Sequence, residues 1–242
     1  MKRAALDTLA VYSDRPIDAV LFDWGRHFGQ YLGDTPRECV YFAANQVLPS
    51  RIADSFADVV SQLIEQSWSA GPNVRDTISS LTMRAVSITE NPEITEDIGR
   101  LFIGSFLSVL ATLIRHNNTA ATVLAGIRRQ GIKTAMVCNT IWPAAWHDDL
   151  LARDGLIALL PIRTYSSQTF VRKPEPRAFQ IVLDRLQVKA HGCVFVGDRG
   201  DEDIDGAAAM GMATIWVRNG YSEPFLHRPD QVIDSVSELV AD

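Results

Sequence analysis

Four separate segments of the sequence carry polar residues whose types could act together at one site. Asp23 follows IDAVLF, Cys138 and Asn139 lie at the end of KTAMVC, and Asp198 follows CVFVG. Lys173 lies between KTAMVC and CVFVG, in the fourth segment, VRKPEPRAF. A carboxylate can act as a nucleophile or bind a metal, and a lysine can neutralise an anionic substrate. These residue types therefore suit chemistry on a charged group such as a phosphate.

The segment VFVGDRGDEDIDGAAAMGM, residues 194–212, adds a carboxylate, Asp203, to that of Asp198. Asp198 and Asp203 are five positions apart across a predicted strand-to-helix turn, so both can face one cavity. Mg²⁺ binds one or two carboxylates together with water and substrate phosphate. With Asp23 opposite, the pair predicts a Mg²⁺ site. The alternative is that Asp203 belongs to an acidic cluster that only caps the following helix.

Lys173 is one of four lysines in the chain. Pro174 disfavours helical geometry at the residue before it, which predicts a loop position for the lysine. A single lysine ahead of a helix is usually a solvated charge. Its place on the predicted site edge favours another role, in which it offsets the charge of phosphate oxygens and of a nucleophile.

The elements that must position these residues alternate between strands and helices after residue 116. This alternation predicts an α/β fold with a doubly wound parallel sheet, covered by helices on both faces. In such a sheet, ligands bind beyond the carboxyl ends of the strands, where the polar residues above would lie. Strands are predicted at 17–22, 133–138, 157–163, 193–197 and 213–217, and helices over 143–153, 176–187, 203–210 and 231–240.

The region between residues 34 and 115 has a different pattern, because its apolar residues recur at helical spacing. Prolines at 36, 49 and 92 punctuate the pattern. We therefore predict an insertion of about four helices, residues 34–115, within an α/β core formed by residues 16–33 and 116–242. Residues 1–15 are predicted to be an N-terminal leader.

Composition excludes several classes of partner. The chain has 242 residues, is 47% hydrophobic and carries a net charge of −6 without a basic stripe, so no nucleic-acid partner is expected. Its longest apolar stretch, 101–114, is shorter than the roughly 20 residues of a membrane span, so no membrane partner is expected. Three widely spaced cysteines predict neither disulfides nor a zinc site. We expect a reduced, cytoplasmic protein.

The order of these motifs resembles the haloacid dehalogenase-like superfamily over about residues 17–217. The resemblance rests on an aspartate after the first strand, then VCNT, KPEPRAF and VGDRGDEDIDGAAAMGM. It implies a Rossmann-like core with a type 1 helical cap. It also implies that Asp23 is the nucleophile and Lys173 the motif lysine. Further implied roles are Mg²⁺ binding by Asp23, Asp198, Asp203 and the backbone carbonyl of Gly25, and substrate binding by Cys138, which replaces a serine or threonine, and Asn139.

The function that this resemblance implies is a Mg²⁺-dependent phosphatase-like hydrolase. It would act on a small phosphorylated metabolite through an aspartyl-phosphate intermediate. The first motif, however, reads Asp23-Trp24-Gly25-Arg26-His27 where the family has Asp-x-Asp-Gly-Thr. The missing second aspartate is a general acid and base, a role worth roughly 10²–10⁴ in rate.

His27 is the one nearby side chain that could compensate for this loss, and the roles of Arg26 and Cys138 are open as well. His27 has a suitable ordinary pKa for proton transfer, or it is packed or solvated on the loop. Arg26 could bind a substrate phosphate or carboxylate, point into solvent or fill the cavity. Cys138 keeps the shape of the usual hydroxyl residue with a weaker donor, or it is simply a small apolar residue at the end of a buried strand.

Three alternative functions can be weighed. A catalytically impaired protein of this fold could use the pocket to bind a ligand or a partner. Phosphonate-cleaving relatives use a cap lysine, and residues 34–115 contain none. Haloacid dehalogenases use the first aspartate without a metal, and the presence of both Asp198 and Asp203 argues against that chemistry.

Overall fold

A computed structural model describes residues 4–7, 16–24, 29–31, 36–69, 75–116, 119–218 and 225–240. Within these ranges, six strands form one parallel sheet in the order β5-β4-β1-β6-β7-β8, and β2 pairs with β3 in a separate antiparallel ribbon. The strands are β1 Ala19–Phe22, β2 Gly29–Tyr31, β3 Ile114–His116, β4 Lys133–Cys138, β5 Ile162–Tyr165, β6 Cys193–Gly197, β7 Ala213–Val217 and β8 Gln231–Ile233.

The helices fall into two groups along the chain. The first group, α1 to α4, lies between β2 and β3, and the second group alternates with the strands of the sheet. The helices are α1 Pro36–Val47, α2 Ser50–Ser69, α3 Ile78–Thr89, α4 Glu96–Leu113, α5 Ala120–Arg129, α6 Ala144–Arg153, α7 Ser166–Thr169, α8 Pro176–Leu186 and α9 Asp205–Ala209. None of the helices in the described ranges combines the length and apolar character needed to span a bilayer.

The central strands are apolar on both faces because helices cover both faces of the sheet. Phe22 of β1 packs in a cluster with Val123 of α5, whereas its neighbour Leu21 packs on the opposite face with Phe179 and Val182 of α8. Successive side chains of a strand point to opposite faces, which produces this division. The predicted α/β doubly wound parallel sheet is thus confirmed.

Helices α1 to α4 share an apolar cluster of their own, in which Phe56 of α2 meets Phe102 of α4 edge to face at 5.3 Å between ring centroids. Thr77 and Thr95 begin α3 and α4 by accepting hydrogen bonds from backbone N–H groups of the first turns. The cluster also includes Trp142, from the loop after β4. The helical insertion therefore packs against the carboxyl end of the sheet. Its predicted limits, residues 34 and 115, stay a prediction.

Three predicted elements differ from the structure. The helix expected over 231–240 is wrong: β8 extends the sheet at β7, and only Val236–Leu239 form a 3-10 helix. The strand expected at 157–163 begins at Ile162, after a 3-10 turn at Ile157–Leu159. The helix expected at 203–210 is split into a π-helical turn, Gly200–Ile204, and α9. At residues 231–233, pairing with β7 overrides the local pattern.

The N-terminal segment is described only at residues 4–7. Ala5 and Leu6 are buried in the apolar cluster on the α5 face of the sheet. The remainder of the predicted leader, residues 1–15, lies outside the described residues.

Candidate active site

The polar residues of the predicted site lie at the carboxyl ends of three adjacent central strands. Asp23 follows β1, Asn139 follows β4 and Asp198 follows β6, and β1 is hydrogen-bonded to both of the other strands. The backbone N–H of Asp23 continues the ladder by donating to the carbonyl of Val196 at 2.9 Å. The sheet register therefore fixes the position of the Asp23 carboxylate.

Lys173 connects two of the predicted acidic residues. Its Nζ donates to Oδ1 of Asp23 at 2.5 Å and to Oδ1 of Asp203 at 2.7 Å. The lysine is only 1% exposed. Burial by itself lowers the pKa of Lys173, but the carboxylates of Asp203 and Asp23 outweigh burial and raise the pKa above its ordinary value. The ammonium is therefore charged at neutral pH and offsets the two carboxylates.

Asp203 organises the turn that follows β6. Its Oδ2 accepts hydrogen bonds from the backbone N–H groups of Asp198 at 3.1 Å and Arg199 at 3.0 Å. The carboxylate lies directly over Gly197, where an added Cβ would be 2.3 Å from Oδ2. A glycine is required there because any side chain would displace Asp203. The pattern VGD followed by Asp203 thus has a steric basis.

The three acidic residues form a group of oxygen donors that fits a Mg²⁺ ion. One carboxylate oxygen each of Asp23, Asp198 and Asp203 lies within 4.8 Å of the others, and all three residues are buried. An all-oxygen donor set suits a hard cation such as Mg²⁺ better than zinc, which prefers nitrogen and sulfur. Both oxygens of Asp203 already accept hydrogen bonds, so a direct bond from Asp203 to the ion would compete with them.

Asn139 holds the loop that carries Lys173. Its side-chain Nδ2 donates to the carbonyl of Lys173 at 2.9 Å, and its Oδ1 accepts from the backbone N–H of Lys173 at 2.9 Å. Nδ2 also donates to Oε2 of Glu202 at 2.9 Å. Sequence reasoning missed Glu202, because its partner lies 63 positions away and its acidic neighbours suggested only a helix cap.

Cys138 lies beneath the site, in the apolar cluster that contains Phe22 and Met136. Burial, reinforced by the charge of Asp23, raises the pKa of the Cys138 thiol well above its ordinary value. The thiol is therefore neutral. Its nearest recorded hydrogen-bond acceptor is the carbonyl of Asn139, at 3.7 Å. These contacts agree with the apolar role left open for this residue, and substrate binding by Cys138 stays a prediction.

Three residues of the predicted site, Gly25, Arg26 and His27, lie outside the described residues. The roles assigned to them in metal binding, substrate binding and proton transfer stay predictions. Trp24, the last described residue before this stretch, packs against His116, with 4.4 Å between the ring centroids. His116 ends β3, so this contact lies where the chain returns from the helical insertion to the core.

Comparison with known proteins agrees with the predicted fold and with the resemblance of the motifs. The family described as HAD-hydrolase-like matches residues 170–239. The glyceraldehyde 3-phosphate phosphatase of Methanopyrus kandleri is 31% identical over 131 residues, covering 49% of this chain and 55% of that protein. The phosphoglycolate phosphatase of Pectobacterium atrosepticum is 31% identical over 120 residues, covering 48% and 50%. The chain thus spans about half the length of these curated relatives.

A solved structure extends the likeness to nearly the whole fold. The 2-haloacid dehalogenase of Pseudomonas syringae pv. Tomato DC3000 aligns with a TM-score of 0.68 at 21% identity, covering 92% of this chain and 96% of that chain. At this identity the likeness concerns the fold alone. The family match, the relatives and the shared fold all agree with the resemblance of the motifs to the haloacid dehalogenase-like superfamily.

Proposed function

We propose that the protein is a Mg²⁺-dependent phosphatase that hydrolyses a small phosphorylated metabolite through an aspartyl-phosphate on Asp23. The observation that carries the proposal is the buried contact of Lys173 with Asp23 and Asp203, beside Asp198. The curated relatives that match about half of the chain are phosphatases, which supports the same reaction class.

The first step would transfer the phosphoryl group to the protein. A carboxylate oxygen of Asp23 attacks phosphorus, the bond from phosphorus to the ester oxygen breaks, and the leaving alcohol takes up a proton. A carboxylate is a weak nucleophile, so the rate depends on holding it in line with the leaving group. The backbone hydrogen bond of Asp23 to Val196 and its contact with Lys173 supply that positioning.

The second step would return the protein to its starting state. A water molecule attacks the phosphorus of the aspartyl-phosphate, the bond between phosphorus and the Asp23 oxygen breaks, and inorganic phosphate leaves with the carboxylate restored. In both steps Lys173 offsets charge next to Asp23. A bound Mg²⁺ would supply further charge neutralisation of the phosphate oxygens, held by Asp23, Asp198 and the carbonyl of Gly25, with Asp203 beside them.

The leaving group needs a proton, and this sequence lacks the aspartate that usually donates it in the family. Gly25 replaces the second aspartate of the first motif, so His27 is the candidate donor. If no side chain takes this role, turnover depends on leaving groups of low basicity. Aryl phosphates should then be better substrates than alkyl phosphates.

The altered first motif also favours a second candidate function. Gly25, Arg26 and His27 replace residues that the family uses for catalysis, so the pocket could bind a ligand or partner without turnover. A dehalogenase reaction is a further alternative, because it too would use Asp23 as nucleophile. The clustered carboxylates of Asp198 and Asp203 argue against it, since that reaction needs no metal.

A single assay separates these functions. Purified protein is offered a panel of small metabolite phosphates and p-nitrophenyl phosphate, with Mg²⁺ or with EDTA. A phosphatase releases phosphate only with Mg²⁺, and Asp23→Asn abolishes the release. If no phosphate is released from any compound and Mg²⁺ does not bind, the phosphatase proposal fails. Halide release from 2-haloacids in EDTA would identify the dehalogenase alternative.

A further inference from the structure

Arg172, the residue before Lys173, has a buried guanidinium with incomplete hydrogen bonding. The residue is 6% exposed, and its Nε makes no hydrogen bond to any group in the described part of the chain. Its nearest acidic partner is Glu202, with 4.0 Å between Nη2 and Oε1, which is longer than a hydrogen bond. A buried charge of this kind is costly unless a partner satisfies its donors.

Glu202 is a weak partner because other groups already engage it. Its Oε2 accepts from the side chain of Asn139 at 2.9 Å and lies 3.7 Å from Nε of Arg199. The carboxylate is therefore held towards Asn139 and Arg199. The Arg172 guanidinium is left facing a carboxylate that it does not reach.

The other neighbour of Arg172 is an aromatic ring from the helical insertion. The guanidinium carbon lies 5.7 Å from the centroid of the Trp68 ring, near the end of α2, and Trp68 is 43% exposed. A guanidinium stacked against an aromatic face keeps its donor edge open for an anion. Arg172 thus lies between the insertion and the core, on the same loop as the lysine that contacts Asp23.

The loop that carries Arg172 begins where α7 ends. Phe170, two residues before Arg172, has the left-handed conformation of a helix C-cap, with φ of 55°, and its backbone N–H donates to the carbonyl of Ser166. The ring of Phe170 is 48% exposed. The loop from Phe170 to Lys173 therefore combines an exposed ring with an unsatisfied cation.

We propose that Arg172 binds a second oxyanion, a carboxylate or a phosphate, on the substrate whose phosphoryl group is transferred to Asp23. The planar guanidinium pairs with two oxygens of such a group in a bidentate manner, which would satisfy the donors that Glu202 does not reach. Arg172 is then a specificity-determining residue, and the favoured substrates are phosphorylated acids or bisphosphates rather than neutral phosphate esters. This proposal rests on the proposed phosphatase function.

Binding of phosphonates tests the proposal without requiring turnover. Titration calorimetry of the full chain with Mg²⁺ compares phosphonoacetate, which has a carboxylate, methylenediphosphonate, which has a second phosphonate, and ethylphosphonate, which has neither. Wild-type protein should bind at least one of the two ligands that carry a second oxyanion about tenfold or more tightly than it binds ethylphosphonate. The preferred ligand identifies the second oxyanion. In Arg172→Met this preference should fall to near unity.

Two further variants make the result decisive. Arg172→Lys keeps the charge but loses the planar fork, so it should retain only part of the preference. Arg100→Met removes a positive charge from the exposed surface of α4 and should leave the preference intact. An equal loss of affinity for all three ligands in Arg172→Met would identify a contact that only holds the insertion closed, and would overturn the proposal. An unchanged preference in Arg172→Met and Arg172→Lys would also overturn it.

Parallel assays of p-nitrophenyl phosphate hydrolysis by the wild-type protein separate this proposal from the proposed function. Absence of phosphate release from p-nitrophenyl phosphate and from every compound of the metabolite panel, together with an Arg172-dependent preference, would reject the phosphatase and keep the anion site. Turnover without any preference for a second anionic group would keep the phosphatase and reject the anion site.

Discussion

The Lys173 ammonium and the Asp23 carboxylate form a buried ion pair, 2.5 Å from Nζ to Oδ1, between residues 150 positions apart in the chain. The same ammonium contacts Asp203 at 2.7 Å. One cation thus links the residue that follows β1 to the turn that follows β6. Lys173 therefore affects both the stability of the site and its reactivity, because it offsets the charge of both carboxylates.

Replacement of Lys173 by methionine should destabilise the protein and impair turnover. The variant keeps most of the side-chain volume but leaves two buried carboxylates without their cation, which should cost about 3–5 kcal/mol of unfolding free energy in EDTA. Phosphatase activity should fall by about 10²–10³. Denaturant unfolding and steady-state kinetics measure the two effects.

Mg²⁺ and a second lysine provide the controls for that variant. Because the carboxylates then lack a competing cation, Mg²⁺ should raise the melting temperature of Lys173→Met more than that of the wild type. Lys189→Met removes an exposed lysine and should change neither stability nor activity appreciably. If Lys173→Met in EDTA were as stable as the wild type, the charge compensation inferred for this lysine would be wrong.

Replacement of Gly197 by alanine should displace Asp203. The added Cβ would lie 2.3 Å from Oδ2 and 2.5 Å from Cγ of Asp203, so the carboxylate must move away from the backbone N–H groups that it accepts from. We expect a loss of about 1–3 kcal/mol in unfolding free energy, and weaker Mg²⁺ binding measured by calorimetry.

Gly104 offers a matched control for this substitution. It lies on the exposed surface of α4, and an added Cβ would meet nothing within 4 Å. Gly104→Ala should therefore raise the unfolding free energy by up to about 1 kcal/mol, because alanine favours the helix. Equal stabilities of the two alanine variants would contradict the close packing of Asp203 over Gly197.

His147 should make the stability of the protein depend on pH. Burial, the largest effect, lowers the pKa of His147 from 6.5 to about 3. The contact with Thr140 is compatible with the neutral form. Oγ1 of Thr140 accepts from the backbone N–H of Trp142 at 3.0 Å and lies 2.9 Å from Nε2 of His147, so its hydroxyl can donate to that nitrogen. Protonation in the folded state would break this arrangement.

The direction of the pH effect follows from this depressed pKa. Below pH 6.5 the unfolded chain binds a proton at His147 that the folded chain does not bind, so stability falls as the pH decreases from 6.5 towards 3. Between pH 7 and pH 4.5 this residue should contribute a loss of about 2.5 kcal/mol. His147→Gln should remove that contribution from the measured profile. His191→Gln, at an exposed position, should leave it in place.

The central part of the site could be predicted because few geometries satisfy its sequence pattern. Parallel strands present their carboxyl ends at one edge, so Asp23, Asn139 and Asp198 had to lie near each other once the alternation of strands and helices was recognised. The scarcity of lysines then singled out Lys173. The ion pair itself needed the structure, since it depends on the path of the loop after β5.

Other parts of the site and fold could not be predicted for identifiable reasons. The hydrogen bond from Asn139 to Glu202 joins two loops, and the periodicity of apolar residues does not predict loop conformations. Residues 231–233 form an edge strand of only three residues, too short for its alternation to be distinguished from a helical pattern. The sequence does not single out Arg172, because the burial of its guanidinium and the missing hydrogen bond of Nε within the described residues are visible only in the structure.

Trapping of the phosphorylated protein tests the central claim most directly. Wild-type protein is mixed with Mg²⁺ and p-nitrophenyl phosphate, quenched in acid during turnover and reduced with borohydride, which converts an aspartyl-phosphate to homoserine. Peptide mass spectrometry should then find homoserine at position 23, and none in Asp23→Asn or in protein quenched without substrate. Turnover that leaves Asp23 unmodified, or that places homoserine at Asp198 or Asp203, would contradict Asp23 as the nucleophile.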